Sequence, residues 1–231
     1  SDNQLQSRVG YYYTSTDLFD FPDSVVVVNP DYTIYSERMK YNTESKITYF
    51  NGPTEIIGDS SYIYCERGWY NTETDISQLN QRAVVQNTKQ TVKGDSLYYE
   101  KNTGFGRAVN NVEIIDFDQN IILRGNHGIY YDQKEYARMT DKAEFIQITS
   151  EDSLYLHADT LLSELDTSGT KFIKAYYGVR IYKSNLQGKC DSLAYSFADS
   201  VIRLYNDPVL WSEESQISAE YIEIQTEKRQ A

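Results

Sequence analysis

The residues best suited to chemistry in this sequence are acids that recur in one slot, each just after a small residue. They are Glu37, Glu66, Asp95, Asp159, Asp191 and Glu220, with Asn126 in the same slot. A column of carboxylates could bind calcium between stacked turns, but the glycine-rich nonapeptide that forms such sites is absent. Asp and Asn also satisfy local backbone donors, so we expect these side chains to hydrogen-bond amides at a corner of the fold. No metal site is predicted.

Other candidates for catalysis are sparse. His127 and His157 fall in different repeat slots, and neither spacing matches a metal site or a catalytic triad. The serines of the Asp-Ser-Leu segments lack the strand-to-helix turn of a hydrolase nucleophile. Paired carboxylates for glycoside cleavage stay open, because an acidic β-structure offers many pairs. Without a constellation, the sequence predicts no enzyme, no catalytic residue and no cofactor.

Cys65 and Cys190 occupy the same repeat slot in two distant copies. If each copy adds at least one strand spacing of about 4.8 Å, the two Cα atoms lie roughly 19 Å or more apart. A disulfide spans at most about 7 Å between Cα atoms. The sequence therefore predicts two free, buried thiols.

Composition excludes several function classes. The formal net charge of −12 and the pI near 4.6 disfavour binding of nucleic acid, because such binding requires clustered Lys and Arg. The same charge disfavours docking on an anionic membrane. No run of about 18 apolar residues exists, so no membrane-spanning helix is predicted. The polar opening from Ser1 to Ser7 is typical of a processed or trimmed chain.

The elements that position these residues form a repeat array. The slot held by Tyr99 in Gly94-Asp95-Ser96-Leu97-Tyr98-Tyr99 recurs every 29 to 33 residues, at Tyr12, Tyr41, Tyr70, Tyr130, Ser163, Tyr195 and Ile224. A second beat falls thirteen residues after the first five of these slots, at Val25, Thr54, Ala83, Val112 and Ala143. It stretches to Val179 and Val209 in later copies.

Each copy reads as strands joined by Asx-rich turns, and no segment has the apolar stripe of a helix. Between the small residue and the next apolar one, the alternation slips by one place, which predicts a bulge or corner in every strand. A stack of such bent strands would form a curved trough. We expect one elongated all-β domain over residues 1–231, ordered from about 12 to 224, with uncapped sheet edges. Residues 227–231 read as a frayed tail.

The repeat resembles a known family at three places above all. The best segments are Gly94-Asp95-Ser96-Leu97-Tyr98-Tyr99 with Asn111-Val112-Glu113-Ile114, Ala158-Asp159-Thr160-Leu161 with Gly178-Val179-Arg180-Ile181, and Cys190-Asp191-Ser192-Leu193-Ala194-Tyr195 with Asp207-Pro208-Val209-Leu210-Trp211. They are similar to the OstA-like repeat of the lipopolysaccharide-transport proteins of Gram-negative bacteria. That family includes LptA-like periplasmic bridge proteins and the amino-terminal domains of larger OstA-like proteins.

The resemblance, which covers roughly Tyr12 to Ile224, implies a twisted, V-shaped β-jellyroll of about eight stacked repeats of ~30 residues. It implies a periplasmic module, associated with outer-membrane assembly, that carries the acyl chains of lipopolysaccharide in an apolar groove towards the outer membrane. Implied partners are lipopolysaccharide and other jellyroll domains joined end to end by strand pairing, including further copies of this chain in head-to-tail order.

Alternation predicts the inward residues that would line this lipid-binding groove. They are Met39, Tyr41, Ile56, Val85, Leu97, Tyr99, Val112, Ile114, Tyr130, Phe145, Leu161, Val179, Ile181, Leu193, Tyr195, Val209 and Trp211. The alternative is a structural or adhesive β-solenoid with a closed core that binds protein or glycan on its outer face. A third interpretation, a polysaccharide-cleaving β-helix, requires a carboxylate cluster on one outer face.

Overall fold

The computed structural model describes residues 4–149, 152–196, 198–199 and 201–225, so the predicted tail at 227–231 lies outside the described residues. Within those ranges the chain is all-β apart from one short 3-10 helix, η1 (Asp132–Lys134). The predicted fold class, with little or no helix, is confirmed. In the part of the chain so described, no helix is long and apolar enough to cross a membrane.

The chain divides into two compact units, unit 1 (residues 1–117) and unit 2 (residues 118–231). The single domain expected from the sequence stays a prediction. Unit 1 contains β1 (Gln4–Gln6), β2 (Val9–Tyr13), β3 (Leu18–Asp23), β4 (Val25–Val28), β5 (Tyr32–Ser36), β6 (Met39–Asn42), β7 (Ile47–Phe50), β8 (Thr54–Gly58), β9 (Ser61–Cys65), β10 (Arg67–Asn71), β11 (Ile76–Asn87), β12 (Gln90–Glu100) and β13 (Phe105–Asp116). Unit 2 contains β14 (Ile121–Tyr131), β15 (Tyr136–Gln147), β16 (Leu154–Leu165), β17 (Lys171–Lys183), β18 (Leu186–Ser196), β19 (Val201–Tyr205), β20 (Val209–Ser212), β21 (Ser215–Ser218) and β22 (Tyr221–Gln225).

In unit 1 the antiparallel pairing runs in two branches that merge at β11. One branch has the order β2-β3-β6-β7-β10-β11, and the other has the order β1-β4-β5-β8-β9-β11. The long strands β12 and β13 continue from β11. The branches are separate because the early strands are interrupted at their middle, for example at Asn51-Gly52-Pro53 between β7 and β8, where Pro lacks the amide that a ladder needs.

Unit 2 shows the reverse order. The long strands β14, β15, β16, β17 and β18 pair in sequence, and the sheet then forks into β19-β22 and β20-β21. In each unit, one branch pairs with the first half of a long strand and the other branch pairs with its second half. The long strands therefore have two distinct halves.

A bulge separates the two halves of every long strand. The register shifts between Lys93 and Ser96, between Arg124 and His127, and between His157 and Thr160. These are the places where the sequence alternation slips, so the predicted bulges are confirmed. Opposite them, the partner strands carry pairs of residues with positive φ, at Gln81/Arg82, Asn110/Asn111, Asp141/Lys142, Tyr177/Gly178 and Asn206/Asp207.

The turns after the tyrosine slots of unit 1 form a hydrogen-bonded column. Asparagine side chains donate to carbonyl oxygens of the preceding turn: Asn42 to Thr16 at 2.9 Å, Asn71 to Ser45 at 3.3 Å and Asn102 to Thr74 at 3.0 Å. Each turn also holds one residue with positive φ, namely Asp17, Lys46, Asp75 and Gly104. Consecutive turns are therefore fixed to each other as well as to their own strands.

Most of the core lies on one face of the strands in each unit. Leu97 in unit 1 and Leu204 in unit 2 are buried, although no α-helix covers them in the described part of either unit. A sheet that buries one face without a helical layer must fold over on itself, and the bulges are where its strands can bend. Cys65 and Cys190 lie at these bulges as free, buried thiols, as the sequence predicts.

Candidate functional site

Three cross-strand rows line the inner face of unit 1. The tyrosine row, lying towards the turn column, is Tyr12, Phe19, Tyr41, Thr48, Tyr70, Ser77, Tyr99 and Gly106. The central row is Phe21, Met39, Phe50, Gly68, Leu79, Leu97 and Ala108. Beyond the bulge, the aliphatic row is Leu5, Val27, Ile34, Ile56, Ile63, Val85, Val92 and Ile114. None of the three rows contains a charged residue.

Unit 2 has the same three rows. Its tyrosine row is Tyr130, Ala137, Ser163, Ile173, Tyr195, Ile202 and Ile224. Its central row is Gly128, Met139, Leu161, Ala175, Leu193, Leu204 and Ile222. Its aliphatic row is Leu123, Phe145, Leu156, Ile181, Gly188, Leu210 and Ile217. The tyrosine slots read from the sequence thus share one row within each unit.

The predicted groove residues differ in how far solvent reaches them. The buried ones are Met39, Leu97, Val112, Phe145, Leu161, Val179, Ile181 and Leu193. The half-buried ones are Tyr41, Ile56, Val85, Ile114, Tyr195 and Val209. The exposed ones are Tyr99, Tyr130 and Trp211. On β12 the exposed fraction rises from 7% at Leu97 in the central row to 41% at Tyr99 in the tyrosine row, so the tyrosine row is the more open side.

Two of the predicted residues, Val209 and Trp211, face away from these rows. In β20, Leu210 is buried opposite Gly188, and a Cβ built on Gly188 would lie only 2.7 Å from the Leu210 side chain. Val209 and Trp211 flank Leu210, so their side chains lie on the other face. The bulge of this copy is followed by the fully buried Pro208, thirteen residues after Tyr195. The repeat beat is therefore not stretched here; Pro208 holds the position that the sequence pattern gives to Val209.

Phenolic hydroxyls at the strand ends carry polar contacts. Tyr12 donates to Asp17 at 3.0 Å, and Tyr70 donates to Asp75. The hydrogen bond to Asp17 raises the pKa of Tyr12, while burial and then the bond to Asp75 raise the pKa of Tyr70. Both phenols stay neutral at physiological pH. At Tyr12 and Tyr70 the tyrosine row therefore offers aromatic faces and neutral hydroxyl groups, and the two rows beside it offer hydrocarbon.

Four members of the acidic column have a side-chain partner on the opposite strand. Arg82 donates to Glu66, Asn111 to Asp95 at 2.9 Å, and Asn206 to Asp191 at 3.3 Å. In the fourth such pair the roles reverse, and Asn126 donates to Asp141 at 2.9 Å. In the first three pairs the donor is the side chain of a positive-φ residue, and in the fourth that residue, Asp141, is the acceptor. The partners are side chains, so the expectation of backbone amide donors is corrected for these pairs. Across the described ranges, no group of three or more His, Cys, Asp or Glu could hold a metal ion.

Sequence reasoning missed part of the inner surface. Phe50, Leu79 and Met139 are buried in the central rows, and Leu204 is fully buried, yet none belonged to the predicted lining. Each lies in the strand that precedes a bulge, where the spacing to the next buried residue is four, as between Leu79 and Ala83. Two spacings together identify these residues in the sequence. One is four residues between buried positions, and the other is three residues between the small residue and the next apolar residue of the neighbouring strand.

Comparison with known proteins gives a family and partial structural likenesses. A family model described as OstA-like protein matches residues 1–37 and 39–148, which is more than half of the chain. A crystal structure of LptH from Pseudomonas aeruginosa is described as the LptA-homologous periplasmic component of the lipopolysaccharide transport device. It is 13% identical, with a TM-score of 0.38, over 42% of this chain and 75% of LptH. No curated protein matches the chain.

Proposed function

The chain belongs to the OstA-like family, and from this premise we propose that it is a periplasmic lipopolysaccharide-binding and transport module. It carries acyl chains on its inner rows towards the outer membrane and performs no enzymatic step. The observation that supports this most is the accessible part of unit 1: from Ile56 to Ile114 its aliphatic row is half-buried and without charge.

The binding energy would come from burial of hydrocarbon. Each methylene removed from water contributes about 0.8 kcal/mol, so a segment of about six methylenes would contribute about 5 kcal/mol before ordering costs. The proposed lining is the predicted set without Val209 and Trp211. Ile56, Val85, Ile114 and the tyrosine row provide the first contacts, since the central row is already buried.

The sheet edges support the proposed partners. Among the described residues, β2 pairs only with β3, and β22 pairs only with β19, so each has a free edge. The β2 edge carries the exposed side chains of Tyr11, Tyr12 and Tyr13. A free edge strand accepts another strand by backbone hydrogen bonding. We propose that other jellyroll domains, or further copies of this chain, pair with these edges.

The lipid proposal is tested by photocrosslinking in cells from two neighbouring positions on β12. A photoreactive amino acid at Tyr99 faces the inner rows, whereas one at Tyr98 faces outward, where the native hydroxyl donates to Glu100 at 2.6 Å. We expect a lipopolysaccharide adduct from position 99 and none from position 98. The same experiment at Tyr195 tests unit 2.

Leu97→Asp and Leu193→Asp should abolish the adduct, because each places a carboxylate in a buried apolar row. Fluorescence of Trp69 in unit 1 and Trp211 in unit 2 shows whether the unit without the substitution stays folded. A folded protein that gives no adduct from position 99 would exclude a lipid-accessible groove and favour the closed-core alternative. Equal adducts from positions 98 and 99 would exclude face-specific binding.

A further inference from the structure

The outer face of unit 2 carries a second surface that the inner rows do not use. We propose that this surface binds an anionic polysaccharide, that is, a chain of sugar rings bearing carboxylate or phosphate groups. The proposal is independent of lipid transport, because it concerns the opposite face of the strands. It is carried by an exposed aromatic row and an adjoining pair of basic residues.

The aromatic row crosses four neighbouring strands. Tyr155 pairs with Tyr182, Tyr182 with Gln187, and Gln187 with Trp211. The three rings are exposed by 40%, 53% and 37%, and the rings of Tyr155 and Tyr182 lie 6.2 Å apart. At about 4.8 Å per strand the row extends for roughly 14 Å. Aromatic side chains repeated along one exposed cross-strand row form a platform for several consecutive ligand rings.

The basic pair lies one row further along the same face. Arg180 pairs with Lys189 across β17 and β18, and the Lys189 ammonium lies 5.7 Å from the centre of the Trp211 ring. Neither residue forms an ion pair with a carboxylate in the described ranges of this chain, although its net charge is −12. Glu144, the acid nearest in register, lies 3.5 Å from Arg124. These two adjacent, exposed cations give the patch a local positive charge, which suits an anionic ligand.

The surface between these groups is concave. Tyr155, Tyr182, His157 and Arg180 line a shallow depression together with Glu144. The Trp211 indole nitrogen donates to Gln216 at 2.9 Å, which holds the ring in place. Sugar rings present apolar C–H faces that pack on aromatic rings, while their hydroxyl groups bond to amides such as Gln187. Arg180 can meet a carboxylate or phosphate with two parallel hydrogen bonds.

The proposed ligand is a separate polysaccharide and not the saccharide part of a lipopolysaccharide bound on the inner rows. Leu156 and Ile181, which lie next to Tyr155 and Tyr182 in their strands, face the inner rows. A saccharide attached to acyl chains on that side would have to pass around the sheet to reach the platform. The long-range repulsion from the protein's other acids is screened beyond about 8 Å at physiological salt, so the local basic pair dominates at contact.

The test uses hexagalacturonate, which carries one carboxylate per ring, and its methyl ester, which has the same rings without charge. Trp69→Phe leaves Trp211 as the fluorescent reporter, because the chain has 2 Trp. We expect saturable quenching by hexagalacturonate and at least tenfold weaker binding of the ester. Arg180→Gln with Lys189→Gln should weaken binding of hexagalacturonate at least tenfold and leave the ester unchanged.

Tyr182→Ala should weaken both ligands, since it removes the stacking surface. The matched control is Tyr177→Ala, which removes an exposed tyrosine of the same strand about 16 Å away. Arg180→Lys keeps the charge, and we expect it to bind more weakly than the native protein and more tightly than Arg180→Gln. These side chains are exposed, and isothermal titration of each folded variant verifies the fluorescence result.

Several results would overturn the proposal. Absence of binding by the native protein excludes a saccharide and leaves a protein partner as the occupant of this face. Equal binding of hexagalacturonate and tripolyphosphate would mean attraction by charge alone. Intact and deacylated lipopolysaccharide are then compared as competitors of hexagalacturonate. Competition by the intact form alone would assign the surface to the head group of the carried lipid.

Discussion

Unit 1 and unit 2 use the same three inner rows, but they close them to different extents. In unit 1 the aliphatic row is half-buried at Ile63 and Val85, whereas in unit 2 its counterparts Leu156 and Ile181 are buried. The tyrosine row contains Tyr41, Tyr70 and Tyr99 in unit 1, but mostly Ala, Ser and Ile in unit 2. Register decides which residues face inward, and the side chains then decide whether the space between the rows stays accessible.

The difference predicts unequal costs for the same substitution in the two aliphatic rows. Ile181→Ala should lower the free energy of unfolding by about 2–5 kcal/mol, because it leaves a cavity among buried side chains. Ile63→Ala should cost only about 1–2 kcal/mol, since solvent already reaches that side chain. Urea unfolding, followed by Trp211 for unit 2 and by Trp69 for unit 1, measures each loss.

Single-tryptophan backgrounds, Trp69→Phe or Trp211→Phe, keep the two signals separate. If Ile63→Ala costs as much as Ile181→Ala, unit 1 is as closed as unit 2, and its proposed role as the lipid-accessible unit is lost.

The two cysteines sharpen the comparison, because they lie at the bulge, where the units are alike. Burial raises the pKa of Cys65 and of Cys190 to about 11. Only the thiolate reacts with a maleimide, so at pH 8 both should react at least about 100-fold more slowly than an exposed thiol. The rates should rise about tenfold for each pH unit up to about 11, because the thiolate fraction does.

Ser15→Cys, in an exposed turn, supplies the fast reference thiol. Mass spectrometry of the labelled peptides separates the three sites. A Cys190 that reacts as slowly as Cys65 fits a common bulge, while a fast Cys190 would show that the closure of unit 2 does not extend to its bulge.

The smallest effect concerns the polar pair at the bulge, whose roles are reversed in one copy of unit 2. Asn111 donates to Asp95 in unit 1, and Asn126 donates to Asp141 in unit 2, so the acid lies on opposite strands. Asn111→Asp places two exposed carboxylates together and should cost about 0.5–1 kcal/mol, less at high salt. Adding Asp95→Asn recreates the arrangement of Asn126 and Asp141 and should recover most of the loss.

A double-mutant cycle on urea midpoints gives the coupling between residues 95 and 111. Additive costs would mean that the bulge depends on its backbone alone and that the side-chain pair contributes nothing.

Much of the fold follows from sequence spacing. The recurrence of Tyr12, Tyr41, Tyr70 and Tyr99 places them in one cross-strand row, and the slip after Gly94 places a bulge there. Both are local consequences of side-chain alternation in a strand, so one sequence contains them. The free thiols followed from the same geometry.

Other features depend on groups that are distant in sequence. Gln81 and Tyr177 adopt positive φ, which residues of these types rarely do, because the bulge of a partner strand requires it. The alternation of apolar residues does not identify Pro208 as a core residue. It therefore predicts Val209 and Trp211 as the inward residues of β20, whereas Pro208 and Leu210 are buried. The closure of unit 2 depends on how side chains from several strands fill one space, which the pattern of a single strand does not contain.

The column of turns in unit 1 makes the length of the array an adjustable quantity. Asn42 and Asn71 are 29 residues apart, and so are their acceptors, Thr16 and Ser45. The same type of hydrogen bond therefore recurs at each end of a 29-residue block. A duplicated copy of residues 46–74 would meet matching donors and acceptors at both of its junctions. Such a chain can be lengthened or shortened by whole repeats, because insertion or deletion of a complete repeat preserves the hydrogen bonds between neighbouring turns.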